Sequence, residues 1–399
     1  MSEKSGFDAV FVGGGVIGLA SAWRAARRGA RVCVLERAEP PAGATNVAAG
    51  MLAPVGELTF GERELLELAL LSGARWPDFA AEVEAAGGGA TGFARCGALH
   101  VALDRDEAGD LRRKHDLQRE LGLEAEWLTP TRCRELEPGL VPNFVGGVLA
   151  GSEASIDPRA LALALVAALR EAGGELRTGT EVVDGLWDGA RLVGVHTAAG
   201  EELRADAVVL CNGAWSGQTT WLPDEARPPV RPVKGETVEL RPREGEPAPA
   251  GRIVASERVY LVPRPDGRLI VGATQEERGF DTVVTAGGVH ELLREAYRVL
   301  PDVAEMEFAG TIAGLRPGTP DNRPLIGRGA VEGLVLATGH FRNGILLTPL
   351  TADAVAATLA GDALPDVMAF ADPLRSSLVR NTSPKYERTA ADHAVGAQR

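Results

Sequence analysis
The residues best suited to chemistry come early in the chain. Gly13-Gly14-Gly15-Val16-Ile17-Gly18 satisfies G-x-G-x-x-G between a run that reads as a strand and one that reads as a helix. In that context Gly13 permits a tight turn, Gly15 lets backbone approach a pyrophosphate, and Gly18 lets helix pack closely on strand. The helix N-terminus adds N–H donors and partial positive charge. Glu36 lies 18 residues beyond Gly18, at the end of the next predicted strand, where a carboxylate can accept from both ribose hydroxyls. Three glycines alone would fit a plain structural turn; strand, helix and acid together predict a dinucleotide site.

Three features favour FAD over NAD. The fingerprint stands at the extreme N-terminus, a second glycine-bearing strand end appears at residues 207–213 with Gly213, and a strand–loop–helix, LVLATGHFRNGILLTP, follows near the C-terminus. A flavin is long, and an enclosing fold brings distant segments to its two ends. A helix starting at Gly344 would set its positive end against the pyrimidine edge of the ring.

These residues need elements to hold them. Residues 8–12 read as a buried strand and residues 17–28 as a helix, with Ala20, Trp23 and Ala26 or Arg27 at turn spacing. Gly29 reads as the helix stop and residues 31–35 as a second strand, completing a βαβ unit. On that helix Arg24, Arg27 and Arg28 read as a solvated face. Residues 40–57 are small and Gly/Ala-rich, a loop suited to close approach to a ligand. Helices are predicted at 65–86, 107–121 and 157–173, the last opening with Asp-Pro and closing with Gly-Gly. Strands are expected near 181–186, 192–197 and 207–211, and residues 242–251 read as a surface loop. Residues 259–262 and 269–272 flank a Pro-Asp-Gly turn and predict an antiparallel hairpin. A strand at 334–337 precedes a helix over 344–359, interrupted by Pro349 in its first turns. Residues 381–399 lack periodicity and read as a disordered tail.

The 399 residues suggest two domains or two interleaved lobes. With 42 basic and 55 acidic side chains the net charge is −13. That balance argues against non-specific nucleic-acid or anionic-membrane binding, and an anionic substrate would need its own local positive charge. The four cysteines (Cys33, Cys96, Cys133, Cys211) form no CxxC pair, so neither a metal site nor a redox motif is expected. A reduced, cytoplasmic setting fits them. The start MSEKSGFDAVFVGGG leaves no room for a secretory apolar segment. The longest wholly apolar run, residues 160–169, falls short of the ~20 needed to cross a bilayer.

At this point the motifs resemble those of the FAD-dependent glycine oxidases of the ThiO type, in the D-amino-acid oxidase superfamily. They are VGGGVIGL, AAGMLAP at 48–54, PVKGE at 232–236, VYLVPRPDGRLIVGAT at 259–274, GLRPGTPDNRPLIGR at 314–328 and GHFRNGILLTP at 339–349. They run in family order to about residue 365, and the last three are far more specific than the glycine fingerprint. The resemblance implies an α/β fold, with a Rossmann-like FAD-binding domain interleaved with a substrate domain on a mixed, mainly antiparallel β-sheet. The FAD-binding domain would take residues 1–85, 150–225 and 315–365, and the substrate domain residues 86–149 and 226–314. It also implies oxidative deamination of glycine and small amines such as sarcosine, with O2 reduced to H2O2. A homo-oligomer, often a tetramer, and a link to a thiazole synthase in thiamine synthesis come with the family.

The family's carboxylate-binding arginine maps onto Arg316 and its active-site tyrosine onto Tyr260. Flavin contacts map onto Val16, Ile17, Glu36, Arg37, Ala44, Thr45, Ala49, Gly50, Met51 and Val182. They continue through His340, Phe341, Arg342, Asn343, Gly344, Ile345 and Leu346, and Met51 also lies near the substrate. The chain departs from the pattern at Asn46 and Val47, where the flavin loop usually carries small residues. Sarcosine oxidases attach flavin through a cysteine near the C-terminus, and this chain has none after Cys211, so non-covalent FAD is implied.

The residue chemistry agrees with that mapping. Arg316 offers a planar fork that matches a carboxylate, and such a pair aligns Cα over flavin N5. Tyr260 can donate to the same carboxylate. Hydride transfer from the neutral-amine form gives an imine that water hydrolyses, so no strong base is required. His340 reads as structural or flavin-facing rather than as a base. Arg342 stays open among flavin, substrate and a structural acid such as Asp321. Other readings remain: a related flavoenzyme acting on D-amino acids, D-proline or sarcosine, a dehydrogenase using a quinone, or a flavin-binding scaffold without turnover. An NAD dehydrogenase would purify colourless.

Overall fold
The apolar runs Phe7–Val12 and Val32–Leu35 pair in parallel, Val10 opposite Cys33, and sit in the middle of the first sheet of this computed structural model. The structure describes residues 6–58, 60–375 and 378. The strand order is Leu325–Arg328, Leu334–Thr338, Glu202–Leu210, Phe7–Val12, Val32–Leu35, Glu175–Arg177; only the first pair is antiparallel. An antiparallel ribbon, Val182–Asp188 with Arg191–Thr197, attaches to Glu202–Leu210. Strands buried on both faces must be apolar throughout, which is why VCVL and AVVL carry no polar alternation.

Helix Val16–Arg27 leaves the first strand and packs back on it. A Cβ at Gly18 would lie 2.1 Å from the Gly13 carbonyl oxygen, so the close crossing requires glycine. The helix buries Leu19 and Trp23 with Trp76, Phe79, Leu161, Leu165 and Val355 from helices Arg63–Val83, Pro158–Glu171 and Thr348–Ala360. Trp23 and Trp76 both meet the Phe79 ring edge-on, at 5.6 and 5.4 Å between centroids.

The second sheet also has eight strands and is almost wholly antiparallel. Its spine is the long pair Arg231–Arg241 with Glu307–Gly318, registered Val233 to Arg316 and Gly235 to Gly314. The Tyr260–Pro263 and Leu269–Gly272 hairpin continues from it. Side chains alternate along the spine. Val238 and Leu240 face a core shared with Leu292, Ala296 and Val299 of helix Ala286–Val299. On the same face Lys234 and Glu236 are fully buried, Nζ 3.0 Å from Oε1. Val262 and Ile270 instead pack beside Ala49, with Met51 and Tyr260 against them.

The structure departs from the sequence reading in several places. Residues 40–57 are not one loop: they hold a short helix, Gly43–Val47, and a strand, Met51–Leu52, paired with Ala154–Ser155. The last long helix starts at Thr348 rather than Gly344, so Pro349 sits in the first turn, where its missing N–H is harmless, and interrupts nothing. Residues 341–343 form a separate 3-10 turn. Arg24 is not a solvated side chain; it pairs with Glu82 and, at 3.1 Å, with Asp353, its guanidinium 4.7 Å from the Trp23 ring centroid. The expected domain boundary at 314/315 falls inside the strand Glu307–Gly318. The long antiparallel spine and helix Ala286–Val299 had no counterpart in the sequence reading. The predicted tail at 381–399 lies outside the described residues.

All four cysteines are free thiols. Among the described residues no cluster of three or more His, Cys, Asp or Glu could hold a metal ion, and no helix is long and apolar enough to cross a membrane.

Candidate active site between the two sheets
The carboxyl ends of the parallel strands and the polar face of the second sheet enclose a cavity of about 570 Å³, within the range of ~300–1,000 Å³ common for ligand sites. Its polar groups fall into two sets. The first surrounds the glycine turn. Gly13 adopts φ +116°, and a Cβ there would sit 2.6 Å from the Cys211 carbonyl oxygen. The Glu36 carboxylate accepts from Gly14 N at 2.7 Å and Ala38 N at 2.9 Å, which fixes its orientation. Val16 N donates to Thr45 Oγ1 at 3.1 Å. The N-cap residue Gly15 has no side chain to cap helix Val16–Arg27, and its first turn holds no acid, so apart from the Val16 amide taken by Thr45 its N-terminal donors face the cavity for a ligand. The Arg37 guanidinium lies over the Trp215 ring, 4.2 Å to the centroid.

The second set comes from the antiparallel sheet and two loops. Arg316 Nη1 donates to Thr274 O at 3.1 Å and Lys234 O at 3.4 Å. Two glycines make its place: a Cβ on Gly235 would lie 2.2 Å from Arg316 Nη1, and one on Gly272 would lie 2.4 Å from the Tyr260 ring. Burial raises the Tyr260 phenol pKa, and the neighbouring Arg316 opposes that rise. Arg342 reaches Glu62 at 3.5 Å. Asp321, once a candidate partner for Arg342, is instead gripped by Arg375 at 2.8 and 2.9 Å.

Glu57 lines the same end of the cavity, and sequence reading missed it. Burial raises its pKa, Arg342 pulls it back, Glu153 pushes it up again, and Lys114 and Arg316 lower it. Its loop is clamped from behind: Glu153 accepts from Gly56 N, Lys114 donates to Gly56 O, and Gln118 Nε2 donates to Val55 O at 2.9 Å. An acid closing a loop of small residues was the one signal for it. Gly235 and Trp215 were also missed, although PVKGE carried the glycine in plain view.

Of the residues predicted from sequence, Gly13, Gly15, Val16, Ile17, Glu36, Arg37, Ala44, Thr45, Ala49, Gly50, Met51, Val182, Gly213, Tyr260, Arg316, His340, Phe341, Arg342, Gly344 and Ile345 all line the cavity. Gly18, Asn343 and Leu346 do not. Gly18 is spent on helix–strand packing, and the Asn343 carbonyl accepts from Leu347 N. The Leu346 carbonyl accepts from Ser72 Oγ and Trp76 Nε1 in the helical core. His340 is buried with Nε2 3.0 Å from Thr351 Oγ1, and burial lowers its pKa to about 3. It is a neutral, tethered ring.

The model of the family described as FAD dependent oxidoreductase matches residues 8–358. The chain belongs to that family. Its cofactor is FAD, and the oriented carboxylate, the helix start with glycine at its N-cap and the sterically required glycines suit a dinucleotide on this wall of the cavity. The chain is similar to a glycine oxidase of Geobacillus kaustophilus, 36% identical over 349 residues, which span 86% of this chain and 90% of that one. The crystal structure of glycine oxidase from that organism superposes with a TM-score of 0.85 at 34% identity, covering 92% of this chain and 98% of the other. A bifunctional protein ThiO/ThiG of Trichormus variabilis is 35% identical over 96% of this chain; the chain spans 57% of that protein's length.

Proposed function
We propose that this FAD-dependent oxidoreductase oxidises glycine and other small amino acids, sarcosine and small D-amino acids among them. The products are the 2-oxo acid, ammonia or a primary amine, and H2O2 formed from O2. The observation that carries the reading is the Arg316–Tyr260 pair facing the cavity from a rigid sheet. Among the described residues only Arg316 Nη1 is tied to main-chain carbonyls, so the fork keeps donors for a carboxylate. In a chain of net charge −13 such a cation is what an anionic substrate requires.

Bound FAD supplies the acceptor for the hydride that leaves Cα. Arg316 holds the substrate carboxylate and so fixes Cα in place, and Tyr260 donates its hydroxyl to the same group. Glu57, its pKa raised by burial, accepts the proton that the substrate ammonium must lose, leaving the amine neutral. His340 takes no part in proton transfer, because it is neutral and bonded to Thr351. Relatives named glycine oxidase support the substrate class. The ThiO/ThiG relatives support delivery of the product imine to a thiazole-forming partner.

Arg316→Ala tests the reading. The variant should purify yellow with full FAD content, while peroxide release from glycine loses at least ~100-fold in kcat/KM. Unchanged kcat/KM would remove Arg316 from the reaction. Peroxide release across glycine, sarcosine, D-alanine and D-proline then ranks the substrates.

A further inference from the structure
A second cavity, about 400 Å³, shares Val47, Ala48 and Thr237 with the first. Four guanidiniums (Arg159, Arg241, Arg264, Arg268) line it against two carboxylates, Asp157 and Glu239. Both carboxylates are already multiply engaged. Glu239 meets Arg159 at 3.0 Å, Arg241 at 3.1 Å and Arg268 at 3.6 Å; Asp157 meets Arg268 at 2.7 Å and Arg264 at 3.9 Å. Asp266, just outside the lining, also pairs with Arg268 at 2.7 Å, so four guanidiniums meet three carboxylates and one positive charge stays in surplus on a concave wall of an acidic protein. Arg241 spends only Nη2 on Glu239, and its other donors meet no protein acceptor among the described residues.

The same arginines grip the cofactor loop. Arg159 Nε donates to Asn46 O at 2.9 Å, and Arg264 Nη2 donates to Ala49 O at 2.5 Å. Ala49 lines the first cavity, so these bonds connect the two walls of one short segment.

We propose that this second cavity binds a small phosphate anion, and that its occupancy is felt by the FAD-binding loop at residues 46–49. Planar guanidinium forks match phosphate oxygens in paired hydrogen bonds, and the surplus cation together with the free donors of Arg241 favours an anion. A bound phosphate draws Arg159 and Arg264 toward itself and changes their hold on the loop carbonyls, so phosphate and FAD affinities are linked. This site lies outside the amino-acid chemistry proposed above and stands whatever the substrate.

The test is calorimetric titration of the holoenzyme with inorganic phosphate against chloride at constant ionic strength. FAD dissociation is followed by flavin fluorescence with and without phosphate. The expected result is one saturable site, roughly millimolar or tighter, and a changed FAD dissociation constant. Arg241→Gln should weaken phosphate binding about tenfold, and Glu239→Gln, which removes a competing carboxylate, should strengthen it. A purely structural ion-pair network predicts no binding and a loss of stability in both variants. The proposal is overturned by no saturable binding up to roughly 20 mM, by binding that both variants leave alone, or by an FAD dissociation constant indifferent to phosphate.

Discussion

Replacing Gly235 by alanine tests whether Arg316 holds the substrate. The added Cβ would lie 2.2 Å from Arg316 Nη1 and 2.6 Å from Cζ and Nη2. Carbon–nitrogen contacts in proteins need roughly 3.5 Å, so the guanidinium must retreat by about 1 Å. The strand itself tolerates the change, since Gly235 is paired opposite Gly314 and does not adopt a positive φ. A misplacement of about 1 Å at a positioning group costs on the order of 100-fold in rate. Gly235→Ala should therefore lower kcat/KM for glycine about 100-fold while FAD content and the urea midpoint stay close to wild type. The double variant with Arg316→Ala should be no worse than Arg316→Ala alone, because both changes act through one guanidinium. Peroxide-coupled steady-state kinetics read all three proteins. Full activity in Gly235→Ala, or additive losses in the double variant, would refute the assignment of Arg316 to the substrate carboxylate.

Glu36→Gln replaces an acceptor of two backbone N–H groups with an amide that can satisfy only one of them. Hydrogen bonds to charged groups contribute ~1.5–3 kcal/mol, so FAD affinity, measured by fluorescence quenching, should fall roughly 10- to 100-fold. Glu57→Gln removes a carboxyl whose pKa is raised by burial; the acid limb of the kcat/KM profile should disappear, and an unchanged limb excludes Glu57 as the proton acceptor. His340 has its folded pKa lowered to about 3 against 6.5 for the free side chain. Its contribution to stability is complete above pH 6.5 and is lost as pH falls toward 3, since the unfolded chain takes up the proton first. Between pH 7 and pH 5 that amounts to about 2 kcal/mol. His340→Gln should show a correspondingly smaller drop in unfolding free energy over that interval, measured by urea denaturation.

The first sheet was legible because its signals are local. VFVGGG followed by a small-residue helix and VCVLE states strand, turn, helix and strand within thirty residues, and a parallel strand buried on both faces has a continuous apolar run. The spine of the second sheet was not legible. Arg231–Arg241 alternates Val, Lys, Gly, Glu, Thr, and its buried lysine and glutamate look like a solvated face until Lys234 is seen paired with Glu236 beneath a helix. Burial of a charge pair reverses the usual meaning of polarity in a pattern. The start of the final helix was misplaced for a similar reason: Gly344 looked like an opening and Pro349 like a breaker, whereas proline in the first turn is how this helix begins.

The candidate site was legible where a residue's own type announces chemistry and obscure where a residue matters by what it lacks. Arginine, tyrosine and a glycine fingerprint attract notice; Gly235 and Gly272 do not, yet each clears the volume that Arg316 or Tyr260 fills. Glu57 hid for a third reason. Its neighbours Tyr260, Arg316 and Arg342 stand more than 200 residues away in sequence, and the clamp on its loop comes from Lys114, Gln118 and Glu153 on elements that read as unrelated. A side chain whose role depends on cross-sheet assembly has no periodicity to display. The asymmetry carries a consequence for substitution: exchange of a visible residue such as Tyr260 removes one contact, whereas a methyl group added at Gly235 or Gly272 moves a side chain of the candidate site from behind while every recognisable motif residue is retained.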